Sequence, residues 1–305
     1  MAFDIPGYIN TAGRVQVDDL DLDAFAERPL SEEALRCLRY MSDVESHTIC
    51  YLRDVLVTPS HRDPDVTAFM SMWAFEEFWH GEAIDSVLRA HGQKADYDHI
   101  REVREAQGLK DRLAPIYQSV AANAIGDDFV AVHMTWGAIN EWSAHAAYGS
   151  LIEKEQHPEL TKLLGRLQRQ ESRHLAFYAS QAKDRLERSS RARSLTRWVT
   201  DRFWQPVGST IQPVEETRFV LRHLLGDDAG AAAVRKIDEK VHKLPGMDGL
   251  NLVQRGVANF GAGVPVAVGS GGRGSRTRGL VAGAAVVAGA AGIAAVRRRS
   301  AGSRA

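Results

Sequence analysis

The stretch Phe69-Met70-Ser71-Met72-Trp73-Ala74-Phe75-Glu76-Glu77-Phe78-Trp79-His80-Gly81-Glu82-Ala83-Ile84 decides how the rest of the chain is read. Helical spacing gathers Phe69, Trp73, Glu77, His80, Ile84, Val87 and Leu88 on one face, which an amphipathic helix buries. That face carries a carboxylate and an imidazole one turn apart. Ionisable groups do not enter a packed interior unpaired, because an isolated buried charge is strongly disfavoured. Glu-x-x-His is also the spacing that lets one helix offer two ligands to one metal ion. The remaining ligands must then come from other helices.

Three further stretches supply them. Ser31 followed by Glu32 and Glu33 opens a helix expected to run to about Val57, with a capping hydroxyl and acids in the first turn. Its inner face reads Leu35, Leu38, Met41, Glu45, Ile49, Leu52 and Leu56. Asp63-Pro64, as cap and first-turn proline, opens the helix of the quoted stretch, and His91-Gly92 closes it. From about Asp127 a third helix aligns Val130, Met134, Ala138, Glu141, Ala144, Tyr148 and Ile152. Pro158 begins a fourth, with Leu160, Leu164, Leu167, Glu171, His174 and Tyr178 in line. Glu77/His80 and Glu171/His174 lie 94 residues apart, each preceded by a lone inner glutamate 32 or 30 residues earlier. The two halves repeat one design. No strand pattern competes, so the fold class is all-α, a four-helix core with further helices over 190–245.

The repeated design reads as a dinuclear metal centre with Glu45, Glu77, His80, Glu141, Glu171 and His174 as ligands. Four carboxylates converging in a core raise one another's pKa and resist ionising together. Two divalent cations neutralise them, and the imidazoles bind as neutral ligands. Oxygen and imidazole donors without thiolate suit iron or manganese. No catalytic residue beyond the ligands is singled out. His145, four residues after Glu141, could add a ligand, with packing as its default role. Trp73, Tyr148 and Tyr178 could be redox-active, again with packing as the default.

With these motifs in hand, the chain resembles the ferritin-like di-iron carboxylate superfamily, and within it the soluble acyl-(acyl carrier protein) desaturases. The family's Trp-x-x-Glu-Glu-x-x-His-Gly is matched by Trp73, Glu76, Glu77, His80 and Gly81, and its Glu-x-Arg-His by Glu171, Arg173 and His174. The resemblance covers roughly residues 30–190. It implies a ferritin-like bundle holding two iron ions, with manganese an option at one position. Glu77 and Glu171 would bridge, while Glu45 with His80 and Glu141 with His174 would be terminal ligands. It further implies an O2-dependent oxidase that introduces a double bond into a fatty acyl chain carried by acyl carrier protein, fed by a ferredoxin-like donor and working as a homodimer. A di-iron hydroxylase or N-oxygenase, and a ferritin-like iron-binding or oxidative-stress protein, are the alternatives. The chain departs from the family at Phe78-Trp79, where Asn-Arg is usual, and at Ala144, where threonine is usual. Substrate shape and oxygen handling are expected to differ there.

Composition bounds the rest. The 305 residues are 44% hydrophobic and 25% charged, ordinary values for a globular protein, and the net charge of −1 gives no reason to expect nucleic acid as a partner. Two cysteines, Cys37 and Cys50, are too few for a disulfide framework, and a cytoplasmic setting fits. Residues 1–29 read as an irregular lead-in, 30–248 as the di-iron domain and 249–278 as a flexible linker. Residues 279–305 read as an Ala/Gly-rich tail ending in arginines. The uncharged run Gly279–Val296 is 18 residues long; as a helix it reaches about 27 Å, near the lower limit for a bilayer. Membrane association through 279–299 and an unstructured tail are both open. Arginines cluster at 185–202, either as a solvated face or as a dock for an acidic carrier protein.

Overall fold

Four long helices form the centre of the molecule, and their ends fall where local chemistry places them. The computed structural model describes residues 3–262, apart from the side chains of 109–112; the remainder of the expected linker and the whole Ala/Gly tail lie outside the described residues. Two short helices, α1 (Ile5–Thr11) and α2 (Ala24–Glu27), precede α3 (Glu32–Leu56), which starts where the Ser31 hydroxyl accepts from the Ala34 N–H. A 3-10 turn at Pro59–Arg62 leads to α4 (Pro64–Ala90). Asp63 caps α4 by accepting from the N–H groups of Asp65 and Val66, and Gly92 at φ 70° follows its end.

The crossover from α4 carries α5 (Tyr97–Glu105) and α6 (Leu109–Ile125) to α7 (Asp128–Glu155). Gln156, in the left-handed region at φ 49°, and His157 turn the chain straight into α8 (Pro158–Arg188). Four further helices follow: α9 (Ser190–Phe203), α10 (Val214–Leu225), α11 (Asp228–His242) and α12 (Leu252–Asn259). Every regular element among the described residues is helical. The all-α expectation therefore holds at the level of fold class.

Helix α3 packs along α4, and α7 along α8, so two hairpins face each other across the core. Helix α7 is apolar nearly all round because it is enclosed: α8, α9, α10 and α11 all pack on it. Gly137 is one requirement of that enclosure, since a Cβ there would lie 2.3 Å from the Tyr178 ring. Leucines 160, 163, 164, 167 and 186 of α8 are all fully buried. Each contributes about 1.5–3 kcal/mol of burial.

Two boundaries differ from expectation. The lead-in is not irregular: α1 and α2 bury Ile5, Tyr8 and Phe25 in the main core, and Phe25 stacks on His157 at 4.4 Å. Its apolar residues are too sparse for a periodic signal, so tertiary packing decides its structure. The expected linker begins too early, because α12 occupies 252–259. Its start is held by buried Asp238 of α11, which accepts from the N–H groups of Val253 and Gln254 at 2.9 and 3.0 Å. Among the described residues no helix is long and apolar enough to cross a membrane.

Candidate metal centre

The two hairpins bring all six expected residues together at mid-helix. Two groups of donors form: Glu45, Glu77, His80 and Glu171 in one, and Glu77, Glu141, Glu171 and His174 in the other. Within each group one atom per residue lies within 4.8 Å of every other, and all six residues are buried. Glu77 and Glu171 belong to both groups, and their oxygens divide accordingly. Glu171 Oε1 lies 3.2 Å from His80 Nδ1 and its Oε2 3.2 Å from His174 Nδ1. Glu77 Oε2 lies 3.8 Å from His80 Nδ1 and its Oε1 3.1 Å from His174 Nδ1. A carboxylate with one oxygen in each group is placed to bridge two cations; one with both oxygens in a single group is not. Glu45 and Glu141 each serve one group only.

The imidazole orientations come from residues behind them. His174 Nε2 lies 2.8 Å from Glu76 Oε2, and His80 Nε2 lies 2.8 Å from Gln170 Oε1. Each ring therefore donates through Nε2 and turns Nδ1 towards the carboxylates. The two supports sit at equivalent places, since Glu76 precedes Glu77 and Gln170 precedes Glu171. A single peptide of the lead-in holds both. The Gly13 N–H donates to Glu76 Oε1 at 3.1 Å, and Gln170 Nε2 donates to the Gly13 carbonyl at 2.8 Å. Tyr8 and Arg173 also donate to Glu76, at 2.8 and 2.5 Å. The arginine of the Glu-x-Arg-His motif thus acts on the opposite helix. Glu76 stands out in the sequence only as part of the family motif, and Gln170 was missed although its place before Glu171 is a signal; Tyr8 and Gly13 carry no such signal.

The terminal carboxylates have supports too. The Tyr148 phenol donates to Glu45, and Trp73 Nε1 donates to Glu141 at 3.0 Å. Tyr178 donates to Met70 Sδ at 3.3 Å, in keeping with a packing role. His145 is outside both donor groups.

The electrostatics describe a site short of positive charge. Burial, with Glu45 and Glu171 beside it, holds the Glu77 carboxyl well above the usual range; burial and Glu171 do the same to Glu141. Glu171 moves the other way, because the His174 and His80 imidazoles on either side of it outweigh its burial. Burial disfavours the His174 cation, yet the Glu171 and Glu76 carboxylates push its pKa up to about 10. Fully ionised, the four carboxylates would leave a formal −2 even with both imidazoles protonated. Glu77 Oε1 and His80 Nδ1 are buried without a hydrogen-bond partner, although both face the centre. Unpaired buried polar atoms are costly, and here they are the atoms a cation would bind. Donor set, charge and orphaned atoms all fit divalent cations, so the cluster could hold metal.

An apolar cavity borders one side of the centre. Glu45 and Tyr148 line it together with Met41 and Val44 of α3, Ala144 and Ala147 of α7, Val220 and Leu224 of α10, and Val253 and Val257 of α12. The departures from the family motif fall differently from expectation. Ala144 lines the cavity, but Phe78 lies exposed on the outer side of α4 and Trp79 is half-buried under the Arg14 guanidinium, 4.7 Å from its ring. Phe78 and Trp79 do not shape the centre.

Most of the clustered arginines have internal duties. Arg185 pairs with Asp63, Arg191 with Asp128, and Arg188 with Asp184. Arg193 donates to the Leu186 carbonyl, and Arg197 to the carbonyls of Gly246 and Asp248. Apart from the exposed Arg188–Asp184 pair within α8, these contacts tie α4, α7, α8, α9 and the segment before α12 together. Comparison with protein-family models, curated proteins and solved structures finds no match to the chain.

Proposed function

We propose that the chain is an O2-dependent dimetal oxidoreductase of ferritin-like architecture, binding two iron ions and oxidising an apolar chain in the manner of an acyl-(acyl carrier protein) desaturase. One observation carries this reading: two donor groups share Glu77 and Glu171, and a terminal donor of one group, Glu45, also lines an apolar cavity. Iron held there would supply O2 activation and removal of hydrogen from an unactivated C–H bond.

The protein's own residues would do the rest. His80 and His174 present Nδ1, oriented by Gln170 and Glu76. Glu77 and Glu171 bridge, and Glu45 and Glu141 complete one position each. The aliphatic walls contributed by α3, α7, α10 and α12 make the space beside Glu45 mainly apolar, with Tyr40, Ser143 and Trp204 the few other polar side chains on its lining. Tyr148 holds a phenolic proton on Glu45 at the boundary between cavity and centre. Carrier-bound fatty acyl chain, ferredoxin-like donor and a homodimeric state are the partners and assembly this reading carries from the motif resemblance. A ferroxidase without an organic substrate has no use for the cavity. A hydroxylase on another apolar substrate remains the second reading, since the same cavity would serve it.

Turnover of carrier-bound acyl chains with ferredoxin, reductase and O2, read by mass spectrometry, tests the proposal. Loss of two hydrogens is expected; a gain of oxygen would favour a hydroxylase, and no change in any acyl chain would overturn the acyl-chain reading in favour of another apolar substrate. Filling the cavity gives a sharper check. Ala144→Phe, which puts a ring into the apolar space, is expected to lower turnover by at least about tenfold with metal content unchanged, a barrier change of about 1.4 kcal/mol. Unchanged turnover would remove this cavity as the substrate site.

A further inference from the structure

The supports behind the two imidazoles differ in charge. His174 leans on a carboxylate, Glu76, and His80 on an amide, Gln170, each at 2.8 Å. The amide's orientation is set by its nitrogen, which donates to the Gly13 carbonyl and leaves the oxygen for His80. Glu76 accepts from His174, Tyr8, Gly13 and Arg173, which fills the four acceptor positions of an ionised carboxylate. A carboxylate behind an imidazole makes its facing nitrogen a stronger ligand than an amide does. Arg173 offsets part of that charge. However, its side chain is 31% exposed while Glu76 is fully buried, so water screens the guanidinium more than the carboxylate.

The terminal carboxylates point the same way. Glu45 accepts from a phenol, Tyr148, whereas Glu141 accepts from an indole N–H, Trp73. A phenol is the more acidic donor and draws more electron density from its acceptor, which leaves Glu45 the poorer ligand. Both differences weaken the same position.

Resting on the two-cation reading above, we propose that the two positions are unequal and fill in order. The Glu141/His174 position takes the first cation. The Glu45/His80 position takes the second, at least about tenfold more weakly. The weaker position is the one beside the apolar cavity, so the less tightly held cation is the one nearest the substrate space.

Calorimetric titration of the metal-free full-length protein with Co(II) alone should show two steps separated by at least about tenfold. Crystals of the wild-type protein grown with one equivalent of Co(II) should give a single anomalous peak beside Glu141 and His174. Glu76→Gln should weaken the first step by about 10–100-fold and narrow the gap. Two equal steps, or a one-equivalent peak beside Glu45 and His80, would overturn the order while leaving the two-cation reading intact. Uptake of fewer than two equivalents would overturn the two-cation reading itself.

Discussion

Replacing Glu77 with glutamine is expected to make the metal-free protein more heat-stable while lowering its affinity for metal by more than about 100-fold. Burial and two neighbouring carboxylates hold the Glu77 carboxyl well above the usual range. The sign follows from linkage. A carboxyl raised in the folded state contributes its stability at low pH and loses it as pH rises through the folded pKa, so at neutral pH Glu77 is a burden. Glutamine removes that burden, a gain of about 1–3 kcal/mol. At about 2–4 °C per kcal/mol for a large domain, the melting temperature should rise by roughly 2–12 °C. Glu141, raised by burial and Glu171, should behave alike. Glu171 should not, because its carboxyl is held below the usual range and its stabilisation is lost as pH falls. Thermal unfolding of the metal-free variants as a function of pH checks all three. A wild type more stable than Glu77→Gln at neutral pH would mean that the cluster is a structural network and not a site kept charged for a ligand.

The second large effect concerns the lead-in. Deleting residues 1–17 removes two of the four donors to Glu76, the Tyr8 hydroxyl and the Gly13 N–H, and takes the Gly13 carbonyl from Gln170. Both imidazoles lose their fixed supports, so affinity should fall by about 10–100-fold at both metal positions. Burial of Ile5, Tyr8 and Val15 is lost as well, at about 1.5–3 kcal/mol each. Tyr8→Phe separates the two effects: it keeps the packing, removes one donor to Glu76, and should weaken only the Glu141/His174 position. Metal titration with circular dichroism as a control for folding reads both. Unchanged affinity in the truncated but folded protein would show that the lead-in only covers the core.

The parts of the molecule readable from sequence are those where a residue's role is local and periodic. Glu45, Glu77, Glu141 and Glu171 stand out because each interrupts an apolar helical face, and His80 and His174 because they follow one turn later. Ser31, Asp63-Pro64 and Pro158 mark helix starts through short-range chemistry, and the structure begins α3, α4 and α8 there. What escaped is long-range. Tyr8 reaches Glu76 across 68 positions and Gly13 reaches Gln170 across 157. A backbone N–H and carbonyl leave no trace in residue type. Helix α12 escaped for the same reason, since its start is held by Asp238 of the preceding helix. Phe78 and Trp79 mislead in the opposite sense. They lie inside the motif by sequence, yet at helical spacing they face away from the ligands.

Metal content tests the central claim most directly. The full-length protein, loaded anaerobically with Fe(II) and freed of excess metal by gel filtration, is expected to retain two iron ions per chain, and Glu171→Ala, lacking one shared carboxylate, none. One iron or fewer per wild-type chain, or two in Glu171→Ala, would contradict the bridged pair.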